Sequence, residues 1–281
     1  TSTYEHPAIL NVAKELEKKG IEVTYIKPNN KGIIEKEKIQ EHIKENTKLI
    51  SIMYVNNELG TINPINEIAK ISKENNIYLH TDAVQYIGKS EIDLSTLNVD
   101  CLSIGAHKFY GPKSIGIIYI KNVISINPVI FGGGQEKGIR PGTENISLIV
   151  GMHEALKVAS NDLEKNRNHI LNLEKYFINE LIKTNIKFNI NGVPRIPGII
   201  SITFDHIDGQ SLLMQLDMKG ISISYRSACA SGSSKASLAL LEIGMSEEKA
   251  KKTVRISIGK FISKDDINVL VKAINGIINN G

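Results

Sequence analysis

Apolar positions 9, 12, 13 and 16 recur at helical spacing and are followed by Lys18, Lys19 and Gly20, so the chain opens on an amphipathic helix closed by a C-terminal glycine. Residues 21–26 then read as a strand. The same beat repeats, with helices over 35–45 and 65–75 and strands over 49–54 and 77–81. Further apolar runs at 99–104 and 115–120 read as strands separated by a turn at Gly111 and Pro112. Continuous apolar strands between amphipathic helices predict an α/β fold, a mostly parallel sheet covered by helices on both faces.

The pattern changes after about residue 150. Residues 149–181 form one long helical stretch with polar breaks. Beyond it, strands at 198–204, 221–224 and 254–258 mix with helices at 211–218, 237–243 and 264–278, an α+β arrangement. The organisation expected is a large α/β domain over 1–150, then a linker helix and a smaller C-terminal α+β domain over 151–281. The opening TSTYEHPAIL has no initiator Met and no leader pattern and reads as the interior of a domain, so the large domain is expected to be N-terminally incomplete.

Composition narrows the function. Thirty-four Lys and Arg against 30 Asp and Glu give a net charge of +4, and Lys and Glu alternate along the helices without forming a basic stripe. That distribution argues against nucleic-acid binding. No apolar run approaches the length of a membrane span. The two cysteines differ in setting: Cys101 lies within a strand, as a small buried hydrophobe would, and Cys229 lies among Ser, Ala and Gly. A disulfide framework is not expected, which points to a reducing, cytoplasmic compartment; an organellar targeting segment ahead of residue 1 stays open.

Chemistry concentrates at strand ends, where parallel α/β sheets gather ligands. Asn57 follows one strand, Asp82 the next, with Gln85 close behind, and Lys108 a third. Each has an ordinary alternative: Asn57 and Asp82 as caps of the following turn, and Lys108 as a surface lysine with its stem on apolar ground. Together, a strand-end carboxylate and a strand-end amine are what pyridoxal phosphate (PLP) requires, one to hold its pyridine nitrogen protonated and one to bond it covalently. Arg255 lies inside an apolar strand and needs an anion, for which a bidentate carboxylate is the natural choice. Cys229, in SYRSACASGSS, sits near Arg226, a cation that favours the nucleophilic thiolate. No metal site is expected.

The segments VNNELGTINPI, HTDAVQ, SIGAHKFYGPK, GGGQEKGIRPGTEN and SACASGS resemble, in order and spacing, the motifs of the NifS/IscS-type cysteine desulfurases, PLP enzymes of fold type I. The resemblance covers essentially the whole chain. It implies that Lys108 bonds the cofactor and serves as the α-proton base. Asp82 would face the pyridine nitrogen, Gln85 and Asn57 the phenolic oxygen, and His107 the phosphate. His6 would stack on the ring and exchange protons with the substrate thiol. Asn57 and Arg255 would bind the carboxylate of L-cysteine, Thr143 would reach the phosphate of a neighbouring subunit in a homodimer with shared sites, and Cys229 would accept the sulfur as a persulfide, leaving alanine. The sulfur would pass to an acceptor such as an iron-sulfur scaffold protein or to tRNA thiolation. Two departures stand out: Gly105 replaces a phosphate-binding Ser, and the family's upstream phosphate-binding turn is not found in the sequence. Competing readings are a related PLP lyase or aminotransferase, such as a selenocysteine lyase, and a catalytically weak scaffold subunit. The thiol loop favours the desulfurase, since an aminotransferase has no use for it.

Overall fold

The computed structural model describes residues 1–121, 124–225 and 236–279. Pro7 at the first helical position and the His6 imidazole, whose Nδ1 accepts the Ala8 N–H at 3.1 Å, start α1 (Pro7–Lys18). The sheet that follows contains β1 (Leu49–Ser51), β2 (Tyr78–Asp82), β3 (Cys101–Gly105) and β4 (Gly116–Ile120), in that spatial order. The first three are parallel and β4 returns antiparallel to β3, so the α/β expectation holds with one antiparallel edge. The crossover from β1 to β2 runs through α3 (Ile65–Glu74), and α2 (Lys36–Glu41) precedes β1.

Two helices follow, α4 (Ile146–Asn161) and α5 (Leu163–Ile182), where one long helix is expected; Asp162 breaks them, out of helical conformation at φ −96° and ψ 10°. The second sheet is antiparallel, β5 (Phe188–Asn191), β6 (Ile199–Phe204) and β7 (Thr253–Ser257), packed with α6 (Gly209–Asp217) and α9 (Lys264–Asn279), while α7 (Leu238–Glu242) and α8 (Glu247–Lys251) turn Ala239, Leu240 and Ala250 into the core of the first sheet. Asp208 caps α6 by accepting the N–H groups of Gln210 and Ser211 at 2.9 and 3.1 Å.

Two apolar clusters hold these layers. Leu79 and Leu102 of the first sheet pack with Ile65 and Ile68 of α3 and Met152 of α4; Ile202 and Phe204 pack with Phe177 and Leu181 of α5 and Ile274 of α9. Every residue of β6 is buried, so it runs through the centre of its layer. Each fully buried side chain of this size contributes about 1.5–3 kcal/mol.

Several sequence expectations fail for local reasons. Residues 21–26 make no strand, because only Ile26 finds a partner, in a single bridge to Ser2. Residues 221–224 likewise pair only through Ser224, opposite Arg255. The helix over 35–45 shrinks to six residues with Ile39 as its one buried side chain. The strand over 49–54 is regular for three residues, although Ile52 and Tyr54 still donate their N–H groups to His80 and Asp82 at 3.1 and 2.9 Å.

Candidate active site

β2 and β3 end side by side, with Asp82 opposite Ser103, so the loops that leave them face one place. After β3 the chain makes a single 3₁₀ turn, Ala106–Phe109, stopped by Tyr110 in the left-handed region at φ 67°. Ala106 and Phe109 are buried and fix the turn, which leaves His107 and Lys108 on its open side. After β2, the Asp82 carboxylate accepts the Val84 N–H at 3.0 Å and sets a tight turn into Gln85. Gly88, at φ +75°, completes it: a Cβ there would lie 2.6 Å from the Phe109 Cβ, so only glycine lets the Gln85 turn rest directly on the Lys108 turn.

Two neighbouring asparagines divide their work. Asn56 is buried and its Oδ1 accepts the N–H groups of Glu58 and Leu59, both at 2.9 Å, so it builds the turn. Asn57 is left facing the cavity, and its carbonyl accepts Arg255 Nη1 at 2.9 Å. Arg255 Nη2 donates to Ser224 Oγ at 2.9 Å, which ties β7 to the stretch before it. Its Nε is buried with no hydrogen-bond partner among the described residues. A buried donor of that kind is costly until an acceptor arrives.

The far wall is the entry to β6. Glu174 of α5 forms a buried ion pair with Arg195, and its Oε2 accepts the Gly198 N–H at 2.9 Å; Arg195 Nη1 donates to the Ile199 carbonyl at 3.2 Å. Across the same opening the Tyr110 hydroxyl accepts the Lys260 N–H at 3.0 Å, and a Cβ at Gly259 would overlap that hydroxyl. The cleft measures about 270 Å³, and Asn57, Gln85, Lys89, His107, Lys108 and Arg255 all line it. A larger cavity of about 690 Å³ between α1 and the edge of β1 holds none of the candidate residues.

The electrostatics are those of an anion site. Lys89 Nζ donates to Gln85 Oε1 at 2.6 Å, and its amine is pushed down to about 8, first by burial and then by the charges of Lys108 and Arg255. Burial, with Lys108 and Lys113 adding, lowers the His107 pKa, and burial lowers that of Arg255 against the opposing pull of Glu58. Glu58 in turn is raised by burial, although the Ser237 hydroxyl donates to it at 2.5 Å and Arg255 attracts it. Desolvated cations with a weakened carboxylate nearby invite a negatively charged ligand.

Of the sequence candidates, Asn57, Gln85, His107, Lys108 and Arg255 converge on this cavity. Asp82 ends β2 at its margin and does not line it. His6 serves as the cap of α1 and Thr143 is exposed in the glycine-rich loop, both away from the cavity wall. Cys229 and Arg226 lie outside the described residues. Cys101 opens β3 half-buried, with its thiol pushed up by burial. Gly105 has room for a side chain, since a Cβ would make only ordinary contact with Val84 at 3.4 Å.

Two residues that pattern reading passed over matter here. Lys89 lines the cavity, four residues after Gln85. Glu5 is a buried carboxyl pushed up to about 7, chiefly by burial, while it accepts the Ser2 hydroxyl at 2.5 Å and the Met53 N–H at 3.0 Å; the charge of Asp82 raises it further. Among the described residues no group of three or more His, Cys, Asp or Glu could hold a metal, and no helix is long and apolar enough to cross a membrane.

The donor set fits PLP: an amine within the cavity, flanking cations for a phosphate, an amide beside them, and an orphaned guanidinium N–H awaiting a carboxylate. Comparison with known proteins points the same way. The aminotransferase class-V family model matches residues 1–270. The cysteine desulfurase IscS of Dictyoglomus turgidum is 40% identical over 280 residues, which cover 99% of this chain and 71% of the relative. A solved NifS-like protein superposes with a TM-score of 0.92 at 34% identity, over 100% of this chain and 74% of its own. A structure described as SspA in complex with cysteine gives 0.79 at 35% identity, over 93% and 73%.

Proposed function

Since this chain belongs to the aminotransferase class-V family and is a PLP-dependent cysteine desulfurase, we propose that the cavity between the β3 turn and β7 takes cofactor and L-cysteine together, and that Cys229 receives the sulfur. The observation that carries the assignment is the convergence of Asn57, Gln85, His107, Lys108 and Arg255, from four separate segments, on one cavity rich in desolvated cations.

When bound, PLP supplies an electron sink that weakens the bonds at the substrate's α and β carbons. Lys108, which lines the cavity, would be the amine that holds the cofactor and the base that moves the substrate's α-proton. Gln85 and Asn57 would donate toward its ring oxygen, His107 and the flanking cations would balance its phosphate, and Asp82, at the margin of the cavity, would hold its ring nitrogen protonated. Arg255, with Asn57 beside it, takes the substrate carboxylate, for which its orphaned Nε is suited. His6 would exchange the proton of the substrate thiol on the family resemblance alone, since it caps α1 and does not line this cavity. The Cys229 thiolate would take the sulfur atom: the carbon–sulfur bond of cysteine breaks with its electron pair left on the β carbon, a sulfur–sulfur bond forms on Cys229, and protonation of the β and α carbons completes alanine.

Exposed Val129, Ile130 and Phe131, at 93, 61 and 84%, stand just before the loop that carries Thr143. Such a patch supports a homodimer in which Thr143 serves the neighbouring site. We keep a large domain over 1–150 and a smaller one over 151–281 as a proposal: α5, the second sheet, α6 and α9 build the second apolar cluster, while α4, α7 and α8, also beyond residue 150, contribute their buried residues to the first. From Cys229 the sulfur passes to an acceptor protein of the iron-sulfur assembly type, in a cytoplasmic setting. The test is mass spectrometry after incubation with PLP and cysteine. Added sulfur on the peptide of Cys229, and its loss in Cys229→Ser together with alanine release, is expected; added sulfur on Cys101 alone would overturn the assignment.

A further inference from the structure

Gln85 is buried, and an amide is useful to a ligand only if the correct end of it faces the ligand. Here the end is decided by one neighbour. Lys89 Nζ sits 2.6 Å from Gln85 Oε1, four residues on, and an ammonium has only donors, so the oxygen must turn to it and the NH₂ is the end left for the cavity that both residues line. The turn that sets this spacing is locked, because Gly88 lies between the two residues and packs on Phe109. Resting on the reading of Gln85 as a cofactor ligand, we propose that Lys89 is a positioning residue of this site, a half-buried cation that fixes the Gln85 amide with its donor end toward the ring oxygen of PLP.

The charge on Lys89 is held at a disadvantage. The groups facing it are Lys108 from the turn after β3 and Arg255 from β7, both cationic, with His107, Arg167 and Lys260 completing the charged lining of the cavity. A third half-buried cation beside two others destabilises the empty site unless an anion is received there. Lys89 therefore serves two ends: it orients a neutral donor and it raises the attraction of the site for a phosphate-bearing ligand. As pH rises through about 8 the ammonium is lost, the amide is released to turn either way, and cofactor affinity falls.

The test uses the full chain, stripped of cofactor and titrated with PLP, with the pH midpoint of the bound cofactor's visible spectrum as a second readout. Lys89→Met is expected to loosen PLP about tenfold, the size of one charge-assisted hydrogen bond, and to move the spectral midpoint up by about one pH unit, since a neighbouring cation is removed. Lys89→Arg, which keeps charge and donors, should restore most of both. In a Gln85→Met background the same Lys89→Met change should shrink to about twofold, because its partner is gone. Should Lys89→Met not fold, Lys89→Gln carries the same comparison. A full tenfold loss that persists without Gln85 would overturn the positioning role, as would variants that match the parent in both readouts. A parent that takes up no PLP at all would instead overturn the site reading and this inference with it.

Discussion

Arg255→Lys separates substrate recognition from cofactor retention. In the parent, Nη1 and Nη2 are engaged by the Asn57 carbonyl and Ser224 Oγ, each at 2.9 Å, so the guanidinium plane is fixed while the buried Nε edge has no acceptor among the described residues. A carboxylate arriving at that edge makes charge-assisted hydrogen bonds worth about 1.5–3 kcal/mol to a guanidinium. A lysine keeps the charge, loses the fork, and cannot hold Asn57, Ser224 and the ligand in one plane. The Michaelis constant for cysteine should therefore rise by about ten- to a hundredfold, at roughly a factor of ten per 1.4 kcal/mol. The assay is alanine release against cysteine concentration at saturating PLP, with PLP affinity measured separately and expected to change by no more than about threefold, since β7 is outside the phosphate end of the proposed site. A Michaelis constant within twofold of the parent refutes the carboxylate role; an equal loss of PLP affinity would mean that Arg255 acts by holding Asn57 in place.

Lys108→Ala should abolish alanine release and leave no borohydride-trapped PLP adduct on the 108-containing peptide, while the fold survives because Ala106 and Phe109, not Lys108, anchor the turn; an adduct that forms undiminished elsewhere would remove Lys108 from its role. Glu5, whose carboxyl titrates near 4.5 when unfolded and about 7 when folded, makes the folded state the better proton binder between those values. Stability should fall as pH rises from about 4.5 to 7, by up to about 3 kcal/mol, and the fall should be absent below that window. Urea unfolding of Glu5→Gln across this range should show a flatter profile, and curves parallel to the parent's would contradict the burial argument.

Much of the site was legible because parallel sheets present their ligands at strand ends, so a carboxylate, an amide and an amine after three apolar runs could be read together. Asn57 and Lys108 are where that rule places them. Lys89 escaped, because a charged residue after a glycine reads as solvated, and the cavity it lines is shared with Phe109 and Arg255, which are distant in sequence. β5 escaped for the opposite reason: Phe188 and Ile190 alternate with asparagines too briefly to stand out, and the strand is held by its pairing with β6. Residues 221–224 looked like a strand on apolar content, yet what fixes Ser224 is a bridge and a side-chain bond to Arg255. Local propensity was overruled there by a contact thirty-one residues away.

The Tyr110 hydroxyl on the Lys260 N–H and the glycine at 259 make the cavity a seam, with wall residues drawn from the loops that leave the first sheet and from β6 and β7 of the second. A molecule lodged in a seam resists its opening. Binding at a hundred times the dissociation constant adds about 2.7 kcal/mol against any opening that destroys the site, and that increment protects the second sheet as much as the first. The loaded and empty forms then face a protease unequally, and the empty chain is degraded sooner. The lifetime of this protein in a cell is thereby tied to the supply of its cofactor, and its abundance falls when that supply does.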